Sequence, residues 1–276
     1  MNFTTVTSIA ETSQKSVDVT PANADASKYR SPEIRARRFD GLLGLPADAE
    51  NLLSHDEQEQ LQHIATILEY RRGSTIFSAG EAGQFVYLIE EGIIRIGRYA
   101  ENGHRQILAF KLSGDFFGLP DCGHYVNSAE TVSAARLYRF PWQRMLQIIS
   151  SEPHLQLSLL AKFACDCSIA EQRIMVLGQQ NIRQRLASFM LELRQRAEFF
   201  DAARSRLKLP INRFDLADYL GTSPESAARA FAKLEAEGLL KRIGYHSVDI
   251  LDMEGLEALQ HGRRRTDRPS DRNLHA

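Results

Sequence analysis

The chain has 276 residues, of which 43% are hydrophobic and 25% charged, as in an ordinary globular protein. With 34 lysines and arginines against 35 aspartates and glutamates, its net charge is near −1, which excludes a polycation that binds nucleic acid regardless of sequence. Its 3 cysteines do not make a disulfide framework. Since it has neither an apolar run of roughly 18 residues nor a secretory signal, we expect a cytoplasmic protein that does not contact the membrane.

The N-terminal part of the chain divides into two segments. Residues 1–35 are rich in Ser, Thr, Ala and Asp without a hydrophobic period, which predicts a disordered segment. The following stretch, DAENLLSHDEQEQLQHIATILEY, has apolar residues at helical spacing and predicts a helix. Its apolar positions are Leu52, Leu53, Leu61, Ile64 and Leu68.

Short β-rich runs separated by glycines occupy the chain from Arg71 to Phe140. They are STIFSAGE, FVYLIEEG, IIRIGRYAENG, RQILAFKLSGDFFG and TVSAARLYRF. The Glu-Asn-Gly stretch at 101–103 predicts a β-hairpin between two of them. Because no helix intervenes between these runs, we expect them to form an antiparallel barrel or sandwich, within a domain at residues 36–150.

A helical period begins after these runs, and Pro153 separates a short helix from a long one. We assign residues 151–179 to the long helix, whose apolar residues recur at steps of three and four. Such a seam fits the same helix of a second copy, which predicts a homodimer, although packing on the chain's own β domain is the alternative. The seam consists of Leu155, Leu159, Phe163, Cys167, Ala170, Ile174 and Leu177.

Residues 180–255 have the order helix, strand, two helices and hairpin, which predicts a winged helix-turn-helix domain. The hairpin is LLKRIGYHSVDIL, with its turn at Gly244. We expect residues 256–276 to form a flexible basic tail. The run Arg263–Arg265 in this tail is either solvated or an accessory phosphate contact.

The stretch LADYLGTSPESAARAFAKLEAEGLLKR predicts the DNA-binding motif itself. Gly221 supplies the left-handed conformation that ends the first helix. Thr222 or Ser223 can cap the second helix, and Pro224 suits its first turn. The second helix, at about 223–236, is the one that enters the major groove in such motifs.

Two residue stripes run along this second helix. Ala227, Ala230, Phe231 and Leu234 are expected to face a core, whereas three other residues are candidates for reading bases. Arg can donate to both acceptors of guanine, Glu can accept from cytosine, and a small residue suits a thymine methyl. The alternative is a plain helix salt pair between the two charged residues. The base-reading candidates are Glu225, Ala228 and Arg229, and the candidate phosphate contacts are Arg213, Thr222, Ser223 and Lys233.

The whole arrangement resembles the Crp/Fnr family of bacterial transcription regulators over about residues 45–255. The marks are GEAGQFVYLIEEGIIRI, LSGDFFG, NIRQRLASFMLELRQR and the helix pair. The resemblance implies an α+β fold with a cyclic-nucleotide-binding-like β-roll (an antiparallel jelly roll), a long dimerisation helix and a C-terminal winged helix. It also implies a palindromic DNA site with TGA-like half-sites, and RNA polymerase as a partner.

The family's ligand patterns are mostly missing. In the cyclic-AMP branch an acidic residue follows the glycine that aligns with Gly118. Here that position is Leu119, and no Arg occurs from 119 to 135. Two polar residues on the long helix of that branch align with Ala170 and Glu171 of this chain. We therefore expect that the chain does not bind cyclic AMP.

The chain's 3 cysteines cannot supply a four-thiolate iron–sulfur site, and residues 1–121 contain no cysteine. We expect no cofactor and no metal, and the chain looks closest to the FixK-type branch. Cys165 and Cys167 are expected to be buried small hydrophobes. Cys122 is a candidate for redox modification. His104 and His124 are weak candidates for a haem-sensing variant.

Two other function classes fit less well. An oxygenase would need a group of histidines and a carboxylate on the barrel wall, and the predicted strands hold no His-x-His pair. Hence we do not expect an enzyme. A module whose winged helix binds protein rather than DNA is the other alternative. The sequence identifies neither the sensed signal nor whether the protein activates or represses.

Overall fold

The N-terminal half of the chain folds into two antiparallel sheets. The computed structural model describes residues 20–21, 55–101, 103–196 and 198–262. The strands are β1 (Thr20–Pro21), β2 (Thr66–Tyr70), β3 (Thr75–Phe77), β4 (Phe85–Glu91), β5 (Ile94–Tyr99), β6 (Arg105–Lys111), β7 (Phe116–Phe117), β8 (Ser128–Thr131) and β9 (Ala135–Pro141). One sheet has the strand order β1-β2-β9-β4-β7 and the other β3-β8-β5-β6.

The sheets face each other across an aromatic interior, which makes them the expected β-roll. The rings of Phe77, Tyr87, Phe117 and Tyr125 pack together there, with Phe77 and Tyr125 stacked at 3.8 Å between centroids. A Cβ at Gly118 would lie 3.0 Å from the rings of Phe77 and Tyr87 and would press on this stack, and the φ of 79° at this position also favours glycine. The predicted hairpin is confirmed, since β5 and β6 pair antiparallel.

Three helices, α1 (His55–Ile64), α2 (Trp142–Ser151) and α3 (Pro153–Gln179), accompany the roll. The outer face of the first sheet packs against them through Val86, Leu88 and Phe140, which share a buried cluster with Leu61 and Leu155. Within the described residues, no helix is both long enough and apolar enough to cross a membrane.

The C-terminal part is the expected winged helix-turn-helix domain. Its order is α4 (Ile182–Arg194), β10 (Phe200–Asp201), β11 (Arg206–Lys208), α5 (Arg213–Leu220), α6 (Pro224–Ala236), β12 (Leu240–Ile243), β13 (Ser247–Ile250) and α7 (Met253–Gln260). The four strands form one sheet of order β10-β11-β13-β12. A hydrophobic core joins α4, α5, α6 and the wing, and it also takes in Ile107 and Val132 of the roll.

Three expectations about element boundaries were wrong. Leu68 lies on β2 rather than on a helix, because α1 ends at Ile64 and the chain then pairs with β9. Residues 256–260 belong to α7 rather than to a flexible tail, because Leu256 is buried in the winged-domain core. Thr20–Pro21 pair with β2, so these two residues of the expected disordered segment are ordered by an edge-strand contact. The other residues of 1–35 and the run Arg263–Arg265 lie outside the described residues.

Candidate nucleic-acid interface

The joint between α5 and α6 has the geometry of a helix-turn-helix. Gly221 is left-handed, with φ 65° and ψ 46°, and ends α5. The amide of Thr222 then donates to the carbonyl of Ala217. Ser223, rather than Thr222, is the N-cap of α6, since its Oγ accepts from the amide of Ser226 at 3.2 Å. These bonds satisfy backbone groups at the turn and fix the direction in which α6 leaves it.

One face of α6 is committed to the core, as its apolar spacing predicted. Ala227, Ala230, Phe231 and Leu234 are all buried among the residues of α4, α5 and the wing. The rotation of α6 about its own axis is therefore fixed. The stripe on its other side must face outward.

The three candidate base-reading residues lie on this outward face. Glu225, Ala228 and Arg229 are exposed, and the described residues show no ion pair between Glu225 and Arg229. Instead, Nη2 of Arg229 donates a hydrogen bond to Oγ of Ser226 at 2.9 Å. The backbone amide at Glu225 and the Ser223 hydroxyl lower the pKa of the Glu225 carboxyl. The charged groups of Glu225 and Arg229 are thus exposed to solvent and do not form a salt bridge with each other.

The candidate phosphate contacts are distributed along α6 and around its N-terminal end. Arg213 is exposed at the start of α5, with its guanidinium 4.8 Å from the centre of the Phe214 ring. Lys233 is exposed in the last turn of α6, and Thr222 is half-buried. The hydroxyl of Ser223 is engaged by the helix cap and by the hydroxyl of Ser226. Arg213 and Lys233 are consequently the stronger candidates of the four.

The wing is tied to α6 by a charged pair that the sequence analysis did not identify. The amide and the Nε of Arg242 on β12 donate to the carboxylate of Glu235 at 2.8 and 2.7 Å. These hydrogen bonds lower the pKa of Glu235. At the tip of the wing, Tyr245 is 96% exposed beside the left-handed Gly244.

A cluster of charged residues between the roll and α5 was not predicted from the sequence. It consists of Arg95 and Arg105 from β5 and β6, Glu130 from β8, and Asp215 and Asp218 from α5. No local pattern could reveal it, because Arg95 and Asp215 are 120 positions apart. We call these five residues the interdomain ion cluster.

The end of α3 is bonded to the same region. Nη1 of Arg185 donates to the carbonyl of Leu220 at 2.9 Å, and its Nη2 donates to that of Leu177 at 2.7 Å. The guanidinium of Arg173 lies 3.6 Å from the centre of the Tyr219 ring and donates to the carbonyl of Tyr219. The long helix is therefore linked to the end of α5 next to the turn.

Only part of the expected dimer seam lies on the surface. Leu155 and Leu159 are buried against the chain's own roll, so their assignment to the seam was wrong. They fall on the face of α3 that covers the first sheet. The rest of the seam includes the exposed residues Phe163, Cys167, Ala170 and Ile174 and the half-buried Leu177, with further exposed apolar residues nearby at Leu157, Leu160 and Met175.

The candidate cofactor residues do not converge. Cys122 and Cys167 are exposed and Cys165 is half-buried, so the expectation that Cys165 and Cys167 are buried was wrong. Within the part of the chain that the structure describes, no group of three or more His, Cys, Asp or Glu residues could hold a metal ion. His124 is exposed, with Nδ1 3.2 Å from the carbonyl oxygen of Cys122. Leu119 packs against the cluster under α2 and α3.

Comparisons with known proteins match both halves of the chain. The model of a Crp-like helix-turn-helix domain matches residues 184–259, and that of a cyclic nucleotide-binding domain matches residues 67–152. The transcriptional activatory protein AadR of Rhodopseudomonas palustris is 31% identical over 227 residues, covering 82% of this chain and 90% of that protein. The nitrogen fixation regulation protein FixK of Azorhizobium caulinodans is 31% identical over 239 residues, covering 86% of this chain and 95% of that protein.

The same similarity is found among solved structures. FixK2 from Bradyrhizobium japonicum superposes with a TM-score of 0.66 at 28% identity, covering 71% of this chain and 97% of that one.

Proposed function

The chain belongs to the Crp/Fnr family of DNA-binding transcription regulators, and we propose that it reads a palindromic promoter site with TGA-like half-sites through α6. Proteins of this family regulate transcription and are not enzymes. The observation that carries the proposal is the outward face of α6. There Glu225 and Arg229 flank the small Ala228, while the opposite face of the helix is buried.

Each of these residues has a chemical role in the proposal. Arg229 donates to N7 and O6 of guanine, and Glu225 accepts from N4 of cytosine. Ala228 leaves room for a thymine methyl group. The Ser226 hydroxyl restricts the Arg229 side chain before DNA arrives, so less side-chain entropy is lost on binding.

Phosphate contacts position α6 without reading sequence. In the proposal, Arg213 and Lys233 contact phosphates on either side of the groove, since both are exposed cations next to the reading face. Thr222 and Ser223 lie at the N-terminal end of α6, where the partial positive charge of a helix favours phosphate.

The proposed protein is a homodimer joined along α3. The exposed apolar residues of α3, with Phe163 and Ile174 41% and 69% exposed, are the surface that the second copy would cover. A two-fold dimer presents two recognition helices about 34 Å apart, which matches half-sites one DNA turn apart. In this proposal the dimer acts in the cytoplasm and, once on its site, contacts RNA polymerase.

We further propose that DNA binding needs neither cyclic AMP nor an iron–sulfur cluster. The support is the roll interior next to Gly118, which is filled by the stacked rings of Phe77, Tyr87 and Tyr125. Leu119 offers no charge to a ribose or phosphate.

Selection of bound sequences from random duplex DNA tests the proposal. Wild type, Arg229→Ala and the control Arg98→Ala are compared without added ligand. Within the described residues Arg98 donates to Val126 and Asn127 of the roll, so its replacement removes the same charge as Arg229→Ala but at a site away from α6. We expect wild type and the control to enrich one palindrome and Arg229→Ala to lose preference at the guanine. Failure of the wild type to enrich any sequence would contradict the proposal.

A further inference from the structure

The buried carboxylate of Asp215 is held by residues of another domain. Its side chain is only 1% exposed. Nη1 of Arg95 donates to its two oxygens at 2.9 and 3.0 Å, and Nη2 of Arg105 donates to Oδ1 at 2.5 Å. Asn212, the N-cap of α5, adds a bond from Nδ2 at 2.7 Å. The first helix of the DNA-binding motif is thus bonded to two strands of the roll.

The two arginines are themselves fixed by further carboxylates. Nε and Nη2 of Arg95 donate to Glu130 of β8 at 2.8 and 2.5 Å. Nε of Arg105 donates to Asp218 of α5 at 2.8 Å. Two guanidinium groups therefore bridge one carboxylate of the roll and two of α5. Charged pairs with several convergent bonds are the geometrically specific kind.

Neighbouring contacts on β6 continue the attachment up to the turn. Nε2 of Gln106 donates to the carbonyl of Asp218 at 2.7 Å, and a Cβ at Gly221 would lie 3.6 Å from Oε1 of Gln106. The rings of Phe110 and Tyr219 are 5.2 Å apart between centroids. The roll therefore contacts α5 and the turn, and it leaves the outward face of α6 open.

This arrangement links the orientation of α6 to the roll. The turn at Gly221 and the shared core fix α6 relative to α5, and the interdomain ion cluster fixes α5 relative to the roll. In a dimer joined through α3, the roll and α3 of each copy keep a fixed relation to the two-fold axis. The separation and rotation of the two recognition helices then depend on the cluster.

We infer that Arg95, Arg105 and Asp215 are positioning residues that set the half-site spacing that the dimer accepts. The inference rests on the proposed function. Engaging two half-sites at once raises affinity by about 10²–10⁴, and this gain is lost where the geometry forbids simultaneous contact. Changing a spacer by two base pairs shifts a half-site by about 7 Å and rotates it by about 70°. A dimer with fixed recognition helices must reject such a site.

A spacer series tests this inference with the full-length protein. Duplexes carry the same two half-sites with the selected spacer, or with one or two base pairs added or removed. Dissociation constants are measured for wild type, Arg105→Gln, Asp215→Asn and the control Arg98→Gln. Arg98 lies on β5 and, in the part of the chain that the structure describes, bonds to Val126 and Asn127 of the roll rather than to the winged domain. We expect wild type and the control to lose at least about tenfold in affinity at a two-base-pair change.

The cluster variants should respond differently. For Arg105→Gln and Asp215→Asn we expect the spacer profile to flatten to within about threefold, with base preference inside each half-site unchanged. Because both changes break one cluster, the double variant should be no flatter than either single variant. Asp215→Asn also removes a negative charge. If the substitution acted only through this loss of charge, it would raise the affinity for DNA and would not weaken the preference for one spacer length.

The outcomes separate the inference from the proposed function. Full spacer selectivity in both cluster variants would overturn the inference while leaving base reading intact. Absence of site-specific binding by the wild type would instead overturn the proposed function. If circular dichroism shows that Asp215→Asn is unfolded, Asp218→Asn replaces it, since that carboxylate is 28% exposed and accepts from Arg105 at the edge of the cluster. Asp218→Asn should likewise reduce the dependence of affinity on spacer length, and an unchanged dependence would count against the inference.

Discussion

The guanidinium of Arg229 donates a hydrogen bond to the hydroxyl of Ser226, 2.9 Å away and about one helical turn earlier on α6. The same Ser226 contributes its backbone amide to the Ser223 cap. The cap of the recognition helix and the orientation of its principal base-reading candidate are therefore connected through one residue.

Replacing Ser226 by Ala should weaken binding to the selected site. The change removes the hydroxyl but keeps the backbone amide, so the cap of α6 stays intact. A net hydrogen bond contributes about 0.5–1.5 kcal/mol, so we expect the affinity to fall by about 2- to 10-fold. Titration of labelled duplex measures this loss. Ser226→Thr retains a hydroxyl and should retain most of the affinity, and equal binding by the Ala variant would contradict the orienting role.

Replacing Ser223 by Ala should destabilise the winged domain. The side chain accepts the amide of Ser226 at the start of α6, and loss of such an N-cap costs about 1 kcal/mol in the free energy of unfolding. Thr222→Ala is the matched control, because the structure assigns the cap to Ser223. Urea unfolding compares the two variants. A larger effect at Thr222 than at Ser223 would show that the cap is assigned to the wrong residue.

Recognition of the cytosine by Glu225 should persist into mildly acidic solution. The backbone amide at Glu225 and the Ser223 hydroxyl lower the pKa of this carboxyl below its ordinary value. The carboxyl group therefore stays ionised and accepts hydrogen bonds throughout pH 5–8. It becomes protonated only as the pH falls below the usual glutamate pKa of about 4.3. The ratio of affinities for the selected site and for one with that C·G pair replaced should be constant over this interval.

The control for this pH series is Glu225→Gln, which should show a reduced ratio at every pH. A wild-type ratio that falls steadily between pH 8 and pH 5 would contradict the assignment of an ionised Glu225 to base reading.

Substitutions on the two faces of α3 should have different effects, one on stability and the other on dimerisation. Leu155 is completely buried against the roll, so Leu155→Ala should cost about 2–5 kcal/mol in the free energy of unfolding. Ile174 is 69% exposed, and Ile174→Ala should instead raise the dimer dissociation constant seen by sedimentation. Loss of dimerisation with Leu155→Ala at unchanged stability would contradict this division of the helix.

Local sequence patterns predicted the elements whose folding is governed by neighbouring residues. The buried stripe of α6, the left-handed Gly221 and the β5–β6 hairpin all follow from turn chemistry and periodicity. Leu68 was misassigned because a short apolar run next to a helix does not itself distinguish a helical continuation from a strand. Its partner strand β9 lies far along the chain.

Contacts between distant segments were beyond prediction. The apolar period of α3 was correct, but a period does not show which of two apolar faces a helix turns toward its own domain. Leu155 and Leu159 were therefore placed on the wrong surface. Likewise, nothing near Asp215 in the sequence indicates that Arg95 and Arg105 surround it. Only the packing of the winged domain on the roll brings these charges together.

The most direct test of base reading by α6 is a comparison of two proteins on two DNA sites. Wild type and Arg229→Ala are titrated against the selected palindrome and against the same palindrome with its guanine replaced by adenine in both half-sites. Wild type should prefer guanine by about 1–3 kcal/mol per half-site, and Arg229→Ala should bind both sites nearly equally. An undiminished preference for guanine in the variant would contradict the account.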